Sequence, residues 1–444
     1  MPLEFEDIRP EGQKWAIVDE TDTDSTTVEK EGKKQTRKPK KSNVVQVQEY
    51  LNAYYDIRIN ELTFELEYRE KGATTFRNLE DRQLNTIWLD LQNEGIKCTD
   101  STLIKILNSN YTELYHPLKE YFKALPKWDG KDYIKELSKT ITIEALENEG
   151  ATSNELWLPY LRKWLVASAA TVLGLGINQT CLILVGSQGS GKTTWLNRLC
   201  PDDMKEFLIC SHINPSLTDK NTANFLAEKW IVNIDDQLET IFGKDFNSMK
   251  AIITAPFVTL RKVFHRLSKT RPRICSFVGS VNSRRFLTDT ENRRYLVFSA
   301  EKVNYQHKVD MHKVWAQASH LAKSNFTYWF SHEEMKQLNK INDVFKQNTL
   351  EEEWLIKLYK PCAPTKPGVI FLMPSEILSH MNARSGLRMS IKRLATAFET
   401  QKFGEPIKKR LNGRSPRRVY PVEIVSDEME STIQSDLRRE YTKK

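Results

Sequence analysis

Gly186-Ser187-Gln188-Gly189-Ser190-Gly191-Lys192-Thr193-Thr194 has the residue types and spacing of a phosphate-holding loop. Its glycines let backbone N–H groups turn inward around α- and β-phosphates. Lys192 is spaced to reach the β- and γ-phosphates, and Thr193 to offer its hydroxyl to Mg2+. A glycine-rich turn without a ligand would leave Lys192 unexplained. Hydrolysis needs acids as well, and Asp235-Asp236 end the apolar run Ile231-Val232-Asn233-Ile234. Asp235 suits Mg2+ held through water, and Asp236 suits a general base for the attacking water. Asn282 tips another apolar run and suits the orientation of that water. Arg293-Arg294 suit an arginine finger that reaches a neighbouring subunit's γ-phosphate. The bland alternatives are two solvated aspartates and an ordinary surface arginine pair.

These residues need elements to position them. Leu182–Val185 reads as a strand entering the loop, and Trp195–Leu199 as a helix leaving it with its positive end towards the phosphates. Residues 229–234, 274–281 and 294–298 are nearly continuous apolar runs, as buried parallel strands should be. Leu156–Leu173 reads as a strong apolar helix before them. Between the acids and Asn282, residues 257–267 alternate apolar and basic side chains, which predicts a hairpin presenting cations. There Arg261, Lys262, His265 and Arg266 could grip nucleic-acid phosphates and Phe264 could stack on a base. A merely solvated hairpin is the alternative. Arg271-Pro272-Arg273 closes the segment.

The flanks differ in character. Residues 1–42 read as a disordered tail with a basic block from Lys33 to Lys41, either a nucleic-acid-attracting arm or a solvated tail. Residues 43–150 read as a mainly helical N-terminal domain. Its expected elements are a helix from Val44, strands at 55–60 and 62–68, and helices at 85–94 and 101–107, with Ser101 and Asn110 as caps or turns. His116-Pro117 opens a further helix that leads to a Trp128-Asp129-Gly130 turn, and His116 reads as structural. Residues 151–345 form the expected nucleotide-binding domain. In 346–425, helices at 375–381 and 390–398 precede a basic hairpin turning at Asn412-Gly413, a winged-helix-like pattern. Residues 426–444 read as a charged tail.

The chain has 444 residues, 39% of them hydrophobic, and a net charge of +8, which favours an anionic partner such as nucleic acid. Its six cysteines form no C-x-x-C pair, which argues against a zinc site or disulfide framework and fits a reducing cytosol. No apolar run approaches the ~20 residues of a membrane span. The acidic N-terminus is no secretory signal.

The order of loop, paired acids, basic hairpin, asparagine-tipped strand and Asn292-Arg293-Arg294 resembles the superfamily 3 helicases of phages, plasmids and viruses. More closely, the chain resembles the virulence-associated protein E family. His116-Pro117, Trp128-Asp129-Gly130, the loop from Gly186 to Lys192, the box Phe286 to Arg294 and the helix Val314-Trp315-Ala316-Gln317-Ala318 carry that resemblance over about residues 45–345. Two features depart from relatives. Residues 1–150 lack the clustered acids of a primase, and Thr290-Glu291-Asn292 stands where Thr-Gly-Asn is common.

The resemblance implies an α/β fold with a P-loop AAA+-like ATPase core, using ATP and Mg2+. It implies a replicative DNA helicase or motor of a phage or mobile element, working in the bacterial host cytoplasm. The motor would form a ring, expected to be a hexamer, on single-stranded DNA, with a separate primase as a candidate partner and no membrane. The rival readings are an origin-binding initiator or DNA-loading ATPase, and a nucleotide-switched defence or regulatory protein.

Overall fold

The computed structural model describes residues 41–146, 152–210, 213, 214, 216, 217, 219–235, 237, 244–260, 269–287, 293–410 and 415–425. Asp236, the hairpin residues Arg261, Lys262, Phe264, His265 and Arg266, the Asn412-Gly413 turn and both expected tails (save the last residues of the first) lie outside the described residues.

The chain divides into two compact units. The first holds the described residues up to Asp56, Glu70–Gly72 and Glu80–Tyr111, with helices Asn43–Tyr54, Asp81–Asn93 and Asp100–Leu107. Val47, Leu51, Ile87, Leu91, Leu103 and Leu107 are fully buried there. The third helix is capped two residues earlier than expected. Thr99, not Ser101, accepts from the Thr102 N–H, because Thr99 is the residue with extended backbone.

The second unit takes the remainder. A small sheet, of which Tyr55, Asp56 and Glu70 fall in the first unit, runs in the order Arg77–Asn78, Leu66–Glu70, Tyr55–Asn60, Glu113–Tyr115. The alternation at 62–68 predicted a strand, but pairing starts only at Leu66. Asn60 Oδ1 accepts from the N–H groups of Leu62 and Thr63, and Phe64 takes φ 56°, so a side-chain-held turn displaces the first half. His116 is structural, as its sequence context suggested. Its Nδ1 accepts from the Lys119 N–H at 3.2 Å and caps the helix Pro117–Ala124. Burial holds its imidazole at a pKa of about 4.

The central sheet has six strands in the order Ile141–Ile143, Tyr295–Val303, Cys181–Val185, Ser276–Val281, Ile231–Asn233, Leu208–Cys210. The first pair is antiparallel and the rest are parallel. Both faces are covered, so side chains alternate between two cores. Leu182 and Leu184 join one cluster with Trp164, Leu296 and Phe298. Cys181, Ile183 and Val185 join the other with Phe277, Tyr295 and Val297. This explains the unbroken apolar runs in sequence. The helix Ser153–Leu173 covers the first face. It starts at a Thr152–Glu155 capping box and stops at Gly174, whose φ of 74° is the left-handed end glycine tolerates.

The C-terminal part has a third core of its own, around Leu355, Ile377, Leu394, Phe398, Tyr420 and Val422. The helices Pro374–Ser385 and Ile391–Thr400 precede Ile407–Lys409, which pairs antiparallel with the long strand Arg417–Ile424. That strand also pairs with Tyr359–Pro361 and Ile370–Leu372, short strands the sequence pattern did not announce.

Candidate active site

The parallel strands, counted along the chain from Cys181–Val185, lie in the order 5-1-4-3-2. The strand Ser276–Val281 is therefore inserted between the glycine-loop strand and the strand that leads to Asp235. Their carboxyl ends open on one side, where open α/β sheets receive ligands.

Register then fixes the site. Val281 lies opposite Val185, and the Gly186 N–H donates to Val281 O at 3.2 Å, so Gly186 and Asn282 leave the sheet side by side. Val278 lies opposite Asn233, and the Ile234 N–H donates to Val278 O, which brings Asp235 level with Ser280.

Lys192 is almost wholly buried inside the loop. Its Nζ donates to Gly186 O and Ser187 O, both at 2.8 Å, and to Asn282 Oδ1 at 3.1 Å. Thr193 Oγ1 lies 3.0 Å from both carboxylate oxygens of Asp235 and 3.0 Å from Ser280 Oγ. Ser280 also donates to Asp235 Oδ1. A cavity of about 310 Å3 joins these groups, lined by Gln188 to Thr194, Ser280, Asn282 and Tyr305. That is enough room for a small ligand.

The glycines have separate reasons. A Cβ on Gly186 would sit 2.8 Å from Ala300 O, so the loop could not leave the sheet as it does. Gly191 has φ 85°, and a Cβ there would strike the Tyr305 ring.

Lys192, Thr193, Asp235 and Asn282 thus meet in one place, with Ser187 to Thr194 around them. Arg293 and Arg294 do not join them. They precede the strand Tyr295–Val303, whose Tyr295 lies opposite Cys181, at the amino end of the sheet. The five-residue strand Cys181–Val185 puts about 16 Å between that end and the loop. Arg293 is exposed. Arg294 is half-buried, and its Nε has no hydrogen-bond partner among the described residues.

The base of the expected hairpin is present as Phe257–Leu260 paired antiparallel with Lys269–Pro272. The arginines that close it are not solvent-facing. Arg273 is fully buried and donates to Ala255 O, Asn178 O and Cys275 O. Arg271, also buried, donates to Leu62 O and pairs with Glu228. Arg271 thus ties the hairpin base to the Leu62 turn and the helix Lys220–Glu228, and Arg273 ties it to the backbone around Asn178, Ala255 and Cys275.

Ser280 and Tyr305 are site residues that the motif pattern did not single out. Ser280 lies two residues before Asn282 and so on the same face of the strand, a signal period-two reading carries. Tyr305 has no such signal. Among the described residues, no cluster of three His, Cys, Asp or Glu side chains could hold a metal, and no helix is long and apolar enough to cross a membrane.

Comparison with known proteins agrees with the family expectation. No curated protein matches the chain. Among solved structures, the apo C-terminal region of NrS-1 is similar at 12% identity and a TM-score of 0.45, over 87% of this chain and 100% of that one. Two A-form apo structures of the same region give 13% identity and TM-scores of 0.43 and 0.44 over the same shares. The virulence-associated protein E-like domain matches residues 122–347, about half of the chain, from the helix Pro117–Ala124 through the whole central sheet to Phe345. With that match over the loop, the acid strand and the Asn282 strand, the chain belongs to the virulence-associated protein E-like family.

Proposed function

We propose that this protein is a Mg2+-dependent ATPase that drives a DNA helicase or motor in replication of a phage or mobile element. The carrying observation is that Lys192, Thr193 and Asn282 line one glycine-lined cavity at the carboxyl ends of parallel strands, with Asp235 held against Thr193 and Ser280 beside it. We read 151–345 as the P-loop AAA+-like domain, 43–150 as the N-terminal domain and 346–425 as a winged-helix module.

Residues Gly186 to Thr194 wrap the phosphates, and Lys192 exchanges its carbonyl partners for β- and γ-phosphate oxygens. The donor set suits Mg2+, which takes one or two carboxylates, substrate phosphates and water rather than a dedicated protein cage. Thr193 and Asp235 would hold it, and when bound it neutralises charge on the phosphates. Ser280 fixes the Asp235 carboxylate. Asp236 accepts the proton of the attacking water, and Asn282 orients that water.

Arg293 and Arg294 lie too far along the sheet to serve their own loop, which favours catalysis across subunits of a ring. The hairpin above Phe257–Leu260 would grip single-stranded DNA through Arg261, Lys262, Phe264, His265 and Arg266. The ring, as a hexamer, would work in the bacterial cytoplasm beside a separate primase. ATP hydrolysis by the full chain, with and without Mg2+ and single-stranded DNA, together with the mass of the assembly, tests this reading. A chain that hydrolyses no ATP under any of these conditions overturns it.

One observation favours a second reading, an origin-binding initiator. Lys408 lies opposite Arg418, and Lys409 opposite Arg417, across the C-terminal hairpin. Like charges directly across a ladder are destabilising, and a polyanion would relieve them. Tighter binding to one duplex sequence than to single strands would select this reading.

A further inference from the structure

We propose that Tyr305 is the platform on which the base of the bound nucleotide stacks. The inference rests on the nucleotide-binding reading and adds the part of the site that reads the nucleoside.

The cavity has two unlike sides. Ser280 and Asn282 belong to the strand on one side of Cys181–Val185, and Asp235 follows the strand beyond it. Apart from Lys192 and Thr193, which the loop and its helix carry, the groups suited to the γ-phosphate and the cation therefore come from that side. Tyr305 follows the strand Tyr295–Val303, which flanks Cys181–Val185 on the opposite side. A triphosphate with its terminal end at Lys192, Asp235 and Asn282 must leave its nucleoside elsewhere along the loop. The side away from Asn282 is where this exposed aromatic ring stands.

Tyr305 is 38% exposed yet lines the same cavity as Gln188 to Thr194. Its ring lies against Gly191, where a Cβ would come within 2.2 Å of Cδ1. The segment that carries it is pinned. Arg198 donates through Nη1 to Tyr305 O at 2.6 Å and through Nη2 to His307 O at 2.8 Å. The Asn304 N–H donates to Thr140 O at 2.8 Å. An exposed aromatic on a backbone held from both sides presents its face at little conformational cost. Aromatic faces bind bases with little regard to sequence.

The alternative role for the ring is to prop the glycine loop, and a pair of ligands separates the two. Binding of ATP and of inorganic tripolyphosphate, each with Mg2+, is measured by calorimetry on the full chain. Wild type should bind both. Tyr305→Ala should weaken ATP roughly ten- to hundred-fold and leave tripolyphosphate within two-fold. Tyr305→Phe should behave as wild type. Tyr305→Leu, which fills the space against Gly191 without a π-face, should lose ATP affinity as Ala does.

Equal loss for both ligands, unchanged ATP affinity in Tyr305→Ala, or rescue by Leu would overturn the proposal. Failure of wild type to bind either ligand would instead overturn the nucleotide reading, and the proposal with it.

Discussion

Asn282 Oδ1 accepts a hydrogen bond from Lys192 Nζ at 3.1 Å, although 90 positions separate them in the chain. The contact exists because Val281 and Val185 are register partners on adjacent strands. It links the residue suited to hold phosphate with the residue suited to orient water.

Lys192→Ala should therefore abolish ATP binding and hydrolysis together, whereas Asn282→Ala should spare binding and lower turnover about 100-fold. Asp236→Asn should resemble Asn282→Ala, because the amide keeps the shape but cannot take a proton. Single-turnover hydrolysis beside equilibrium binding distinguishes the cases. Wild-type turnover in Asp236→Asn would mean that another group is the base.

Arginine substitution should act across subunits. Arg293→Ala or Arg294→Ala should be inactive alone and partly restored when mixed with Lys192→Ala chains, since some interfaces then pair an intact loop with an intact arginine. No recovery at any ratio, in oligomers shown to be mixed, would remove both residues from the reaction.

The hairpin should couple hydrolysis to DNA. Lys262→Ala with His265→Ala should leave basal ATPase in place and reduce its stimulation by single-stranded DNA. The log–log salt slope of binding should flatten by roughly 0.7 per lost phosphate contact. If stimulation and slope are both unchanged, the exposed Arg393, Lys408 and Arg418 of the C-terminal module become the next candidates.

His116 should make the fold acid-sensitive. Burial lowers its pKa to about 4 from an unfolded value near 6.5, so the unfolded chain binds the proton first. Stability is complete above about pH 6.5 and falls as pH drops towards 4, by about 3 kcal/mol at the lower end. His116→Asn keeps a capping side chain and removes the titration, so its urea midpoint should change less between pH 7 and 4.5 than that of wild type. An equal change in both proteins would exonerate His116.

The strands that carry the site were legible because both of their faces are buried, which leaves unbroken runs such as Cys181–Val185 and Ser276–Val281. The edge strands Ile141–Ile143 and Leu208–Cys210 are three residues each, too short for any period to register. The alternation at 62–68 misled because one side chain, Asn60, captured two backbone donors. Lys192, Thr193, Asp235 and Asn282 were each readable from the element that ends beside them. Tyr305 was not, since its place depends on Gly191 and Arg198, which are remote in sequence.

The division of Cys181–Val185 between two cores constrains its length as well as its composition. A deletion or insertion of a single residue there would exchange the faces of every side chain beyond it. It would also shift the loop by about 3.3 Å against Asn282 and Asp235. The strand thus behaves as a ruler, and variants that preserve its five-residue span should outlast those that preserve only its hydrophobicity.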